Sequence, residues 1–251
     1  MLISCAPEAT AYCMPYVFDL DTLARLARDA AASFRAAQPY PHVVFDDFLC
    51  AAPARELARV FPGPDDPVAW DHYAAPGLEV KLGCSNEARL PPPLRHALHD
   101  LNSREFIAFL EQLTGIEQLL PDPYLAGGGI HLSRRGGHLG IHADFNWHER
   151  LQAHRRLNLL IYLTPDWTPE FGGELELWNA DGTQRVQLVE PLFNRAVLFA
   201  TRSDTFHGHP NPWAAADGVY RQSIALYYYT TQRPEAEIRP AHNTLYKGYN
   251  V

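Results

Sequence analysis

Apolar residues recur at helical spacing in the first half of this chain and at strand-like spacing in the second. In DLDTLARLARDAAASFRAA, residues Leu23, Leu26, Ala27, Ala30 and Phe34 fall on one stripe of a 3.6-residue helix, with Asp21 as the expected N-cap. PHVVFDDFL reads as a strand after a proline break, and AAPARELARVFP as a short helix ended by Pro62 and Gly63. Residues 63–93 are rich in Pro, Gly and Asp and predict mostly loop. PLRHALHDLNSREFIAFLEQLTGI then predicts two helices, parted near Asn102 and closed by Gly115. From Pro121 the pattern changes. GGGIHLSR, HLGIHADF, RLNLLIYLT, GELELWN, QRVQLVEP, RAVLFAT and VYRQSIALYYYT are strand candidates separated by Gly, Pro, Asn and Asp. This spacing predicts a sandwich or jelly roll rather than a parallel α/β sheet. The tail from Arg233 has no period, and its Tyr246 and Tyr249 are either core-packing or mobile.

Length and composition add bounds. The 251 residues suit a single domain: a mainly helical support region over 17–118, a β core over 120–232 and a tail over 233–251. At 47% hydrophobic and 20% charged, the chain is an ordinary globular sequence. A net charge of −8 argues against nucleic acid as a partner. No apolar run predicts a membrane span, and the N-terminus lacks signal-peptide character, so the expectation is a cytoplasmic protein. Cys5, Cys13, Cys50 and Cys84 show no paired spacing and are expected as free thiols.

Candidate chemistry begins at His142 and Asp144, two apart on an expected strand and therefore on one face. An imidazole and a carboxylate side by side suit a divalent metal that takes one more ligand. DTFHGHP offers His207 or His209, which share the same alternation. Two His and one carboxylate serve both non-haem Fe(II) oxygenases and zinc hydrolases, although no HExxH is present. A jelly-roll protein that binds a metal or small molecule without catalysis is the other reading. Arg221 and Ser223 share a face of the last strand and together suit a carboxylate clamp. His131 and Ser133 alternate on one face of the preceding strand, and Asn146 and Trp147 follow the His/Asp pair; all four are pocket candidates. NWHERLQAHRR reads as a polar lid loop with solvated arginines, while Trp178, Tyr227, Tyr228 and Tyr229 read as core.

The order RRGGHLGIHADFN, RRLNLLIYLTPDW, FGGELELW, FNRAVLF, TFHGHP, YRQSIALYYYT resembles the Fe(II)/2-oxoglutarate-dependent dioxygenases, in their prolyl-4-hydroxylase-like branch, over roughly residues 120–232. The resemblance implies an α+β fold with a mainly β core: a double-stranded β-helix, cupin-like, with supporting N-terminal helices. It implies His142, Asp144 and His207 as iron ligands, His207 being favoured by the hydroxyl residue Thr205 two positions before it. Arg221 and Ser223 would meet the far carboxylate of 2-oxoglutarate, with Asn158 where relatives carry a Thr. Cofactors would be Fe(II), 2-oxoglutarate and O2, with ascorbate as a stimulant. The implied reaction hydroxylates an unactivated C–H bond of an amino-acid-like, prolyl or other small substrate, or of a short peptide, and yields succinate and CO2. Asp144 points to hydroxylation rather than halogenation, since halogenating relatives carry a small residue there. The chain departs from the family at Ser133, a Tyr in many relatives, and at NPWAAADG, which reads as an inserted loop.

Overall fold

A computed structural model describes residues 15–75 and 77–248. In chain order the elements are α1 (Leu20–Ala36), β1 (His42–Phe45), α2 (Ala51–Arg59), β2 (Asp71–Ala75), β3 (Glu79–Cys84), α3 (Pro92–Asp100), α4 (Arg104–Thr114) and β4 (Leu120–Pro121). There follow β5 (Gly129–Ser133), β6 (His138–Ala143), β7 (Trp147–His148), β8 (Ala153–Tyr162), β9 (Leu175–Trp178) and β10 (Arg185–Val189). The last are β11 (Ala196–Ala200), β12 (His207–His209), β13 (Arg221–Thr230) and β14 (Leu245–Tyr246).

Helix ends follow local chemistry. Asp19, not Asp21, caps α1, its side chain accepting from Thr22 N. Ser103 caps α4, and Gly115 closes it in the left-handed conformation at φ 74°. The stripe on α1 packs Leu23, Ala27 and Phe34 into the main core, with Leu26 and Ala30 partly buried against it.

The strands form one curled antiparallel sheet in the order β1-β11-β8-β13-β5-β3-β6-β12-β9-β10, with β2 on β3, β4 on β13, β7 on β8 and β14 on β6. The fold is the expected jelly roll with four helices at its side. Alternation divides β13 between two environments. Ile224, Leu226 and Tyr228 join the helix-side core, whereas Arg221, Ser223, Ala225 and Tyr227 face the interior of the curl. On β8, Leu157, Leu159 and Ile161 likewise meet the helices, and Asn158 and Leu160 face inward.

All seven expected strands are present. The 63–93 segment differs from expectation, because 71–84 is a hairpin, β2–β3, joined to both β5 and β6. β2 carries no apolar alternation, since Asp71, His72 and Ala74 are exposed; β3 does alternate, with Leu82 and Cys84 in the core and Glu79 and Lys81 facing a polar cavity, but this short signal lies among Pro, Gly and Asp. NWHERLQAHRR is not a lid: it forms the short hairpin β7–β8. NPWAAADG runs without helix or strand and is anchored, since Trp213 is fully buried and exchanges backbone hydrogen bonds with Gly136 and Gly137. Among the described residues no helix is long and apolar enough to cross a membrane. Cys50 and Cys84 are free thiols; Cys5, Cys13 and Tyr249 lie outside the described residues.

Candidate active site

His142 sits on β6, and Asp144 lies one residue past that strand's end. β12 pairs with β6 so that His207 lies opposite His142, with ring centroids 4.5 Å apart. This close pairing needs Gly208, because a Cβ there would fall 2.6 Å from Gly140 O. One ligand-type atom from each of His142, Asp144 and His207 lies within 4.8 Å of the others. His142 Nε2 is 3.5 Å from Asp144 Oδ1, and His207 Nε2 is 3.4 Å from Oδ2. The far ring nitrogens fix the imidazoles. His142 Nδ1 contacts Gly140 O at 2.8 Å, and His207 Nδ1 contacts Thr205 O at 3.1 Å. A carbonyl only accepts, so Nδ1–H donates and the Nε2 lone pairs turn toward Asp144. Burial lowers His207 to about 4, which keeps the ring neutral.

β6 carries one extra residue between the two rungs, so His209 lies opposite Leu139 instead of joining the cluster. This local irregularity separates two histidines that simple alternation treats as equivalent. His209 is buried with Nδ1 unpartnered and lines the same cavity, and burial, then Arg221 and Lys81, hold it well below its ordinary value.

Asp144 stays ionised against the trend of its surroundings. Burial raises its pKa, but Arg155, His207 and His142 together hold it well below the usual carboxylate range. Arg155 Nη2 lies 3.1 Å from Asp144 Oδ2, and Asn158 Nδ2 donates to the same oxygen at 2.7 Å. Asn158 Oδ1 in turn accepts from Arg155 Nε at 2.9 Å. Asn158 is thus placed on Asp144, away from the Arg221 end where the family pattern put it. Arg155, expected on a solvated face, is 1% exposed. The cause is a β-bulge: Tyr228 pairs with Leu157 but Tyr229 pairs with Arg155, so Arg156 is an extra residue that turns Arg155 inward.

These groups line a cavity of about 190 Å³ between the two halves of the curl. At one end Arg221 donates through Nε to Gly173 O at 2.8 Å, and its guanidinium lies 4.9 Å from the Tyr162 ring. Gly173 is required here: φ is +73°, and a Cβ would come 2.9 Å from Trp213 and 3.0 Å from Arg221 Cδ. Among the described residues Arg221 has no carboxylate at ion-pair distance, and the buried Tyr162 hydroxyl has no hydrogen-bond partner. Ser223, Ser133 and His131 also line this cavity.

Other candidates fall elsewhere. Asn146 ties down the tail, donating to Pro240 O and accepting from His242 N at 2.9 Å each. Trp147 and His148 line a separate cavity; His148 is buried with Nε2 3.3 Å from Asp122 Oδ1. His138 does not line the site, while Tyr227 does, contrary to its reading as core. Sequence reading missed Tyr73, Glu79 and Lys81 from the hairpin and Thr244 and Tyr246 from the tail. Lys81 Nζ pairs with Glu79 at 3.3 Å, and the Tyr246 ring lies 5.4 Å from His142. The one weak signal was the parity of Glu79 and Lys81, two acid–base residues on one side of an expected loop.

Residues 128–229 match the family model described as the 2OG-Fe(II) oxygenase superfamily. No curated protein matches the chain. Among solved structures, a prolyl hydroxylase from Trichoplax adhaerens, in complex with a hypoxia inducible factor peptide, aligns at TM-score 0.60 and 18% identity, over 84% of this chain and 91% of that one. A Pseudomonas putida prolyl-4-hydroxylase aligns at 0.58 and 19%, over 83% and 98%. A non-heme alpha ketoglutarate dependent epimerase from nogalamycin biosynthesis aligns at 0.56 and 14%, over 84% and 82%. At these identities the alignments establish a common fold. The His/Asp/His donor set fits a divalent iron, and the unpaired Arg221 with the unpartnered Tyr162 hydroxyl fits a dicarboxylate. Residues 128–229 are thus similar to the 2OG-Fe(II) oxygenase superfamily, and the jelly-roll fold and the His/Asp/His donor set around them agree with that likeness.

Proposed function

We propose that the chain hydroxylates an unactivated C–H bond of an amino-acid-like, prolyl or other small substrate, or of a short peptide, at a centre held by His142, Asp144 and His207. The observation that carries this reading is the pairing of that donor cluster with a buried, unpaired Arg221 in the same cavity. A zinc hydrolase has no use for such a clamp. When bound, iron(II) with 2-oxoglutarate and O2 supplies the oxidising power, and the cosubstrate leaves as succinate and CO2.

The chain's own residues then have separable tasks. His142 and His207 present neutral Nε2 atoms, and Asp144 supplies the anionic ligand, held in place by Asn158 and Arg155. Arg221, with Tyr162 and Ser223 beside it, receives the cosubstrate's distal carboxylate and so fixes its direction along the trough. Burial lowers the Arg221 pKa, with Tyr162 opposing it; the ion is costly to bury and favours an anion that enters with the cosubstrate. Tyr73, Phe145, Tyr227 and Tyr246 exclude water around the target C–H. The fold alone does not select the outcome, since an epimerase shares it. Hydroxylation is favoured by the retained Asp144 and by the prolyl hydroxylases of the same fold.

Anaerobic addition of Fe(II) and 2-oxoglutarate is expected to produce a weak visible charge-transfer band. His142→Ala or Asp144→Ala should remove it, and His207→Ala should do so where His209→Ala does not. Well-folded protein that shows neither the band nor succinate formation in air overturns the reading. Arg221→Ala should retain iron and raise the 2-oxoglutarate concentration needed by about tenfold or more, the scale of a charged hydrogen bond.

A further inference from the structure

His209 interrupts an apolar stretch of the cavity wall. β12 pairs with β9 so that His207 lies opposite Leu177 and Gly208 opposite Glu176, and the next step brings His209 level with Leu175. On its other side His209 faces Leu139 of β6. Leu139, Leu160 and Leu175 all line the cavity. Two residues before Leu175 stands Gly173, whose carbonyl accepts from Arg221. His209 therefore stands between the His/Asp/His cluster and the Arg221 guanidinium, roughly 7 Å past His207 at the usual strand rise. A five-carbon 2-oxo acid held at the cluster and directed at Arg221 passes this ring.

The ring's own chemistry shows which edge it offers. His209 is buried, and its Nδ1 is shielded from solvent without a hydrogen-bond partner. Burial keeps the imidazole neutral, so it carries one N–H and one lone pair. A proton on Nδ1 would be a buried donor with nothing to accept it, the arrangement that folded chains avoid most strictly. The proton therefore sits on Nε2, on the edge of the ring that meets the cavity. His142 and His207 hold the opposite form, each with Nδ1–H on a backbone carbonyl. Those two rings turn lone pairs toward the centre, as a metal requires. His209 turns a donor into the same space, which a metal cannot use and an anion can.

We propose that His209 donates through Nε2 to the distal carboxylate of 2-oxoglutarate, across the trough from Arg221, and makes the site select a dicarboxylate over a 2-oxo acid with an apolar end. This rests on the oxygenase reading above and adds a binding residue to it. Arg221 and Ser223 lie on β13 and Tyr162 on the adjacent β8, whereas β12 lies across the curl, with β5, β3 and β6 between. A carboxylate held from both sides keeps one direction, where a clamp on one side leaves it free to swing. A wall of leucines would serve any five-carbon chain. A donor set into that wall is left unpaired unless the ligand brings an oxygen to it.

The test compares 2-oxoglutarate with 2-oxopentanoate, which has the same five carbons but ends in a methyl group. Each is titrated anaerobically into the Fe(II)-loaded chain, and the visible band gives the half-saturating concentration. His209→Leu should raise that concentration for 2-oxoglutarate about tenfold or more, the scale of a hydrogen bond to a charged group. It should leave 2-oxopentanoate within about twofold and Fe(II) affinity unchanged. His209→Gln, which keeps a donor, should recover most of the loss. In the unaltered chain loaded with Zn(II), the imidazole nitrogen-15 shifts of His209, assigned by their absence from His209→Gln, should show the Nε2–H form. Nε2 should respond to 2-oxoglutarate and not to 2-oxopentanoate, a measurement that holds even where His209→Leu folds poorly. Equal weakening of both acids would make His209 part of the wall alone, and loss of Fe(II) would make it a metal ligand. An Nδ1–H ring or an unchanged 2-oxoglutarate titration would remove the contact. Each of these overturns the proposal. A band that forms with neither acid overturns the oxygenase reading itself, whereas a band indifferent to His209 overturns only this inference.

Discussion

His207 shows how burial readies a candidate ligand. A histidine exposed in the unfolded chain titrates near 6.5; folded and metal-free, burial lowers His207 to about 4. Between these values the unfolded chain holds the extra proton. Stability from this ring is therefore complete above about pH 6.5 and is lost as pH falls toward 4, at a cost of about 3 kcal/mol by the usual conversion. Burial also lowers His131, with Lys81 and Arg221 adding to it, which acts in the same direction. Thermal unfolding of the metal-free chain across this range should show the loss, and His207→Gln should flatten it. An unchanged slope in that variant would assign the dependence to other groups. Much at this scale was legible: His142, Asp144, His207, Arg221 and Ser223 meet in one cavity because parity on regular strands is a reliable guide. Arg155 was not legible, because its parity matches Leu157, Leu159 and Ile161 on the helix side.

At the level of elements, short strands depend on residues that permit close approach. The Gly-Gly of FGGELELW turns the chain at positive φ so that Gly173 O meets Arg221. Gly173→Ala should strain the backbone by about 1–2 kcal/mol and push Arg221 aside. The expected result is a lower melting temperature and a higher 2-oxoglutarate Kd, with metal affinity nearly unchanged; calorimetric titration of each separates the two. The runs of β5, β8, β11 and β13 announced themselves because one face of each is apolar in the core shared with the helices. The β2–β3 hairpin did not, because β2 is largely exposed and the alternation of β3, with only Leu82 and Cys84 in the core, is short and set among Pro, Gly and Asp. Its contribution of Tyr73, Glu79 and Lys81 was missed for the same physical reason.

Across the whole molecule, the cavity is assembled from three stretches distant in sequence: the jelly-roll strands, the 71–84 hairpin and the tail. The matched segment of 128–229 contains His142, Asp144, His207 and Arg221, while part of the wall comes from outside it. The tail is secured by Asn146 on Pro240 and His242, by Ser203 on His242, and by β14 on β6. Ending the chain before Pro240 should leave the ligands in place and admit water beside them. We expect succinate formed without substrate to rise relative to the full chain, with Fe(II) affinity little changed. Equal substrate-free succinate would show that the tail does not shield the centre. The tail's aperiodic sequence hid this role, since its residues follow the contour of the site instead of a regular repeat.

The bulge in β8 has a consequence for how this protein tolerates change. Arg155 faces the trough because Arg156 is accommodated as an extra residue between it and Leu157. Substituting Arg156 leaves that bulge in place. Deleting it removes the bulge but sets Arg155 directly before Leu157 and still opposite Tyr229, on the inward parity of Asn158 and Leu160, so the guanidinium would stay in the trough. Only straightening the strand with Arg156 retained would turn that charge into the leucine layer.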